Sequence, residues 1–447
     1  MRIYIDNIIM QGTVWGSLFC TATMDKLAKL IYNNKELVYK YKGVVDTPCL
    51  GMVDDILSVQ KCSSQSVKTN AAINAFVEIK KLKFNEDKCR RIHIGKHLKN
   101  PPMCPTLKVH QEEMKSSQKE KYLGDIITNK GTIKATIEER KAKGYAAVAE
   151  IMAILKDIAL GEHKLEIGLQ LRQAMFLNSI LFNSESWQNV SDDDLKSLET
   201  IDEYLLRSLV EGHSKAPLEF LYLESGASAI RHLVSSRRLI YLQTILKRSD
   251  TELTKRILIA QKNDPSPGDF VKLAEKDLKN VDINMDYKQI QEMSMEPYKK
   301  MVKKKVRAAA FRNFKTLQAG HSKIMNIQYD ELKCQPYMLS TMFTNLEVNL
   351  LHALRSRSVD CKINFRRLHG DDLDCPLCSD GCQDDQPHIL QCKKLRMMMK
   401  SEDLAKTNVR YNDIFGNLLQ QKEVTVMFAK LLQIRKTLMD EDVQDVE

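Results

Sequence analysis

Cys375, Cys378, His388 and Cys392 follow the pattern Cys-x2-Cys, nine residues, His-x3-Cys. Three thiolates and one imidazole make a closed ligand set of the kind that holds structural Zn²⁺. Each pair is close enough in sequence to share one turn. Cys382 is a spare thiol in the same stretch, and could replace Cys378 if the loop folds otherwise. A second constellation is the pair Asp54-Asp55, flanked by Leu50, Met52 and Val53 before it and Ile56, Leu57 and Val59 after it. Both flanks read as short strands, and the acidic pair as the tight turn between them. Two adjacent carboxylates repel each other, and burying both charged is costly. Water or a cation relieves that cost. Hard oxygen ligands suit Mg²⁺, which keeps much of its water and often bridges carboxylates to phosphates. Asp is also a common turn residue, so a solvated turn is the simpler reading of this stretch alone.

A third feature is charge. Pro297 to Gly320 reads as one helix, with Pro in its first turn and Gly at its end. It carries Lys299, Lys300, Lys303, Lys304, Lys305, Arg307, Arg312 and Lys315, and no acidic residue. Val302, Val306, Ala309, Ala310, Phe314 and Leu317 are its candidate buried side. Such a stripe can neutralise phosphates without reading bases, or can be a solvated face. Lys303-Lys304-Lys305-Val306-Arg307 also has the composition of a nuclear-import signal.

The elements that must position these residues follow from pattern. The chain has 447 residues, a soft prior of about three domains. At 43% hydrophobic and 28% charged residues it can bury real cores. A net charge of +10 and a pI near 8.9 favour a polyanionic partner, nucleic acid before anionic membrane. No apolar run of about 18 residues exists, so no membrane span is expected. MRIYIDNIIM is too short, and too interrupted by Asp6 and Asn7, for a signal peptide. Seven of the eleven cysteines are scattered singles, which points to reduced thiols inside a cell.

Along the chain, Gln11-Gly12-Thr13-Val14-Trp15-Gly16-Ser17 precedes an apolar helix pattern. A hairpin turns at Lys42-Gly43, and the acidic hairpin follows it. A helix runs from about Ser66 to Lys80. Leu82-Lys83-Phe84-Asn85-Glu86-Asp87-Lys88-Cys89 leads into the strand Arg91-Ile92-His93-Ile94. Lys119-Glu120-Lys121-Tyr122-Leu123-Gly124-Asp125-Ile126-Ile127 is a further turn and strand. Beyond Gly131 the periodicity is helical. One helix starts at Ser191, with Asp192, Asp193 and Asp194 at the positive end of its dipole. Asp264-Pro265-Ser266-Pro267-Gly268-Asp269 breaks the pattern.

The order QGTVWGS, MVDD, LKFNEDKC with IHIG, and KYLGDIIT resembles the second half of a reverse transcriptase palm. It is most similar to enzymes of the non-LTR (long interspersed element) retrotransposons, many of which carry a cysteine-histidine module further on. The resemblance implies an α+β fold: a partial palm of antiparallel sheet and helices (1–130), a helical thumb (131–262), a basic helical connector (263–370), a zinc module (371–395) and a helical tail with an acidic end (396–447). It implies that Gln11 and Gly12 lie against template and nucleotide. Asp54 and Asp55 would bind Mg²⁺, Lys88 would protonate the leaving pyrophosphate, and Tyr122, Leu123 and Gly124 would grip the primer. Metal-assisted phosphoryl transfer needs two cations held by carboxylates. The partners implied are an RNA template, a DNA primer and deoxynucleoside triphosphates, in the nucleus when DNA is the target.

The family places a third aspartate on an earlier strand. Only ten residues precede Gln11, and Asp6 is too close to that loop. The expectation is therefore the C-terminal part of a longer polyprotein, or a decayed copy. A non-catalytic nucleic-acid-binding protein, using Lys303, Lys304, Lys305, Arg307 and the zinc module, is the alternative. A zinc-stabilised interaction scaffold is a third reading. No feature of the sequence sets the oligomeric state.

Overall fold

The computed structural model describes residues 14–47, 49–95, 106–109, 112–157, 164–210, 216–378, 380–399 and 409–444. It is a mixed, helix-rich fold with small two-stranded sheets near the N-terminus. No helix among the described residues is long and apolar enough to cross a membrane.

The strands all lie between Tyr39 and Thr128. β1 (Tyr39–Tyr41) pairs with β2 (Val45–Thr47), and β3 (Leu50–Met52) with β4 (Asp55–Leu57). β5 (Arg90–Ile92) pairs with β8 (Lys115–Ser117), β6 (Lys108–Val109) with β7 (Glu112–Glu113), and β9 (Lys119–Tyr122) with β10 (Asp125–Thr128). Four pairs are antiparallel, while β5 and β8 run parallel. Among the described residues the strands do not join into one sheet. They are two to four residues long and mostly half-exposed, too short to offer a continuous apolar face. The helices Val14–Asn33 and Ser63–Ile79 cover them through a small core of Leu27, Ile31, Leu37, Cys49 and Phe76.

From Lys134 onward the fold is helical. The helix Lys134–Asp157 packs against Asp192–Leu209, and a β-carbon at Gly144 would lie 3.1 Å from Ile180 Cγ2. From Lys164 to Ile180 the chain is helical, widening into a π-helical stretch at Arg172–Leu177. Ser191 caps the next helix, in a capping box with Asp194. The main apolar core runs from Ile137 through Ile201, Leu351, Cys392 and Phe428 to Leu431. A second core, from Leu239 to Val306, crosses the breaker at 264–269.

Buried ion pairs tie these helices together. Arg172 donates two hydrogen bonds to Asp202, both 2.6 Å. Arg238 donates to Asp277 at 2.6 Å. Glu224 is fully buried and receives Arg355 at 2.9 Å, the Tyr337 hydroxyl at 2.6 Å and the Tyr329 hydroxyl. A buried charge is tolerable when it is paired and its remaining lone pairs are satisfied, as at Glu224.

Candidate functional site

The cysteine-histidine set comes together. Asp374 pairs with Gln383 in an antiparallel bridge, and Cys375 N–H donates to Cys382 C=O at 2.9 Å. That hairpin carries Cys375 and Cys378. Asp385 then caps the helix Gln386–Gln391, accepting from His388 N–H at 2.7 Å. Pro387 follows in the first turn, where a missing N–H costs nothing. The helix presents His388, and Cys392 follows at its C-terminal end. The ligand atoms of Cys375, Cys378, His388 and Cys392 all lie within 4.8 Å of one another. Cys378 Sγ and His388 Nε2 are 3.4 Å apart. Zinc bonds of about 2.0–2.3 Å fit such a cluster, and three thiols with one imidazole are the donor set this ion takes. Burial, with the neighbouring Cys375 and Cys378, pushes the Cys392 thiol up to about 11, and a cation would reverse that shift. Cys382 is exposed; its carbonyl accepts from Cys375 N–H, its Sγ donates to Asp380 C=O at 3.9 Å, and it is not one of the four clustered ligands.

The acidic hairpin forms, with one difference. Met52 pairs with Asp55, so the two-residue turn is Val53-Asp54 and Asp55 already begins β4. Val53 takes φ 60°, unusual for a β-branched residue. Asp54 and Asp55 are both exposed. Cys20 Sγ lies 3.4 Å from Val53 O, and burial followed by the charge of Asp54 raises its thiol.

The hairpin β9–β10 is the neighbour of this turn. The Tyr122 hydroxyl donates to Leu50 C=O at 3.4 Å, and burial, then the charge of Asp55, raises the Tyr122 phenol. The same hairpin is also held by residues that sequence reasoning missed. Arg140 Nη2 donates to Gly124 O and Asp125 Oδ1, each at 2.9 Å. Asn183 Nδ2 donates to Leu123 O at 3.2 Å and Asp125 Oδ2 at 3.1 Å. An Arg in a Lys-rich helix gives no sequence signal of such a role.

Among the described residues, Asp54 and Asp55 belong to no group of three potential metal ligands. The pair does not by itself make a two-ion centre, so no chemical step follows from it. Lys88 is exposed in the turn Glu86–Lys88 before β5. Gln11 and Gly12 lie outside the described residues.

The basic helix spans Met295–Ala319. Lys300, Lys303, Lys304 and Lys305 are exposed and have no ion-pair partner among the described residues. The other four cations are engaged. Lys299 pairs with Glu296 at 2.9 Å and Arg312 with Asp282 at 2.6 Å. Lys315 lies 5.8 Å from the Tyr329 ring centroid. Arg307 differs from expectation: its guanidinium donates to Gly226 C=O at 3.3 Å and to Leu332 C=O. Leu317, expected inside, is 51% exposed, and Gln318 is buried in its stead.

No family model matches the chain, and neither a curated protein nor a solved structure does.

Proposed function

We propose that this chain carries part of an RNA-directed DNA polymerase of the non-LTR retrotransposon type. In this reading the Asp54-Asp55 turn faces Mg²⁺, and Tyr122, Leu123 and Gly124 hold the primer end. The helices after Lys134 act as the thumb, and Cys375, Cys378, His388 and Cys392 bind a structural Zn²⁺. Gln11 and Gly12 would meet template and nucleotide, and Lys88 the leaving pyrophosphate. RNA template, DNA primer and deoxynucleoside triphosphates are the partners, and the nucleus is the place of action.

One observation carries the reading. Two hairpins far apart in sequence meet through Tyr122 and Leu50, and the charge of Asp55 reaches the Tyr122 phenol, so the acidic hairpin and the proposed primer-holding hairpin are neighbours. That adjacency is what positioning a 3′ end beside a metal requires. The test places a photoreactive nucleotide at the primer 3′ end on an RNA template, with Mg²⁺. Cross-links to 50–57 or 119–128 are expected; their absence, with binding retained, would refute the polymerase reading. Primer extension by this chain alone is not expected, because Asp54 and Asp55 reach only one side of a two-ion centre.

A second reading rests on the four exposed lysines of the basic helix. In it the chain binds nucleic acid through phosphates without polymerising. Cross-links confined to 299–315 would favour it.

A further inference from the structure

We infer that Arg140, Asn183 and Asp125 are positioning residues that latch the β9–β10 hairpin to the helical block and, through Tyr122, fix the acidic turn. The functional meaning of the latch rests on the polymerase reading; its existence does not.

The turn itself calls for restraint. Leu123 has φ 48° and Gly124 φ 90°, the backbone of a two-residue hairpin loop with both residues left-handed. Glycine takes that conformation freely, whereas leucine is strained in it. Both turn carbonyls are held: Leu123 C=O by Asn183 and Gly124 C=O by Arg140. The Asp125 carboxylate receives a bond from each of the same two donors. The Arg140 side chain is 1% exposed, so water does not compete for its guanidinium. Phe182 closes the site. A β-carbon on Gly124 would sit 2.7 Å from Phe182 Cε1, and the Arg140 guanidinium lies 5.3 Å from the same ring centroid.

These groups come from two places in the helical block. Arg140 is on Lys134–Asp157, and Phe182 and Asn183 follow the helix that ends at Ile180. Tyr122, the cross-strand partner of Asp125, touches the acidic hairpin at Leu50. The hairpin is therefore a link, gripped by Arg140 and Asn183 and bearing through Tyr122 on the hairpin that carries Asp54 and Asp55. A hairpin serving only as a surface connection needs neither grip.

The test incorporates 3-fluorotyrosine at position 122 of the full chain and follows its ¹⁹F resonance. In the otherwise unchanged chain, Asp55→Asn should move that resonance. Arg140→Met and Asn183→Ala should abolish this response while circular dichroism stays unchanged. Arg140→Lys, which keeps a cationic donor, should retain part of it. If Arg140→Met does not fold, Asn183→Ala decides, because its side chain lies nearer the surface. A response that persists in the folded variants, or that is missing from the start, would overturn the latch. Failure of primer cross-linking with the ¹⁹F response intact would overturn the polymerase reading and leave the latch standing.

Discussion

Arg435 and Asp384 form a bidentate pair, with Nη1–Oδ1 at 2.8 Å and Nη2–Oδ2 at 2.7 Å, and both side chains are buried. Asp384 also accepts from Lys362 N–H at 2.8 Å. The C-terminal helix Leu418–Gln444 is thereby fastened to the hairpin that carries the first two zinc ligands. Arg435→Met would leave a carboxylate buried and unpaired, which costs about 3–5 kcal/mol. The double variant Arg435→Met, Asp384→Leu should lose less than Arg435→Met alone. Urea denaturation of the three proteins checks both expectations.

Zinc removal should be felt beyond the ligands. Cys375, Ile389, Leu390 and Cys392 belong to the same apolar core as Val424, Phe428 and Leu431. Metal binding in such modules contributes about 10–16 kcal/mol of apparent folding energy. A chelator should therefore raise hydrogen exchange in 418–435 as well as in 373–392. Elemental analysis should give one zinc per chain before chelation; no zinc under reducing conditions would refute the centre.

The basic helix should separate binding from stability. Replacing Lys303, Lys304 and Lys305 by Ala should weaken nucleic-acid binding evenly across sequences. It should flatten the salt dependence by up to about three units of slope, each neutralised phosphate adding a little under one. Arg307→Ala should instead lower stability, because it frees the carbonyls of Gly226 and Leu332. An unchanged slope in the triple variant would mark the face as merely solvated.

Acid should act through a buried histidine. Burial lowers the His352 imidazole to about 4; Glu224 opposes this, and Arg355 and Arg207 add to it. The unfolded chain takes the proton first, so this contribution is present above pH about 6.5 and is lost as pH falls toward about 4. The loss is up to about 3 kcal/mol at about 1.4 kcal/mol per unit. His352→Phe, which can keep the ring contact with Phe220, should reduce the fall of stability with acid in that window but not remove it, because burial also lowers His232 to about 4. An unchanged profile by denaturant titration would show that His352 is not the sensor.

What the sequence disclosed was local. The zinc set was legible because its ligands are spaced within one hairpin and one helix. The acidic hairpin was legible from the apolar runs on either side of the aspartates, although the turn falls one residue earlier than the aspartate pair. The Ser191 cap was legible because a capping box is written in four consecutive residues. Arg307 could not be read, since its acceptors reach it only through tertiary packing. Leu317 was misplaced because Gln318 takes the inner position, its amide donating to Ile324 C=O at 2.7 Å and Ile327 C=O at 2.9 Å. Arg140 was invisible for the same reason as Arg307.

The core that begins at Ile137 closes only with Phe428 and Leu431 on the C-terminal helix. During synthesis the early helices must therefore wait for the last one. At about 5–20 residues per second, the roughly 300 intervening residues take on the order of 15–60 seconds to emerge. For that interval the faces of Lys134–Asp157 and Asp192–Leu209 lack part of their cover, and a nascent chain stalled before residue 418 is a natural client for chaperones.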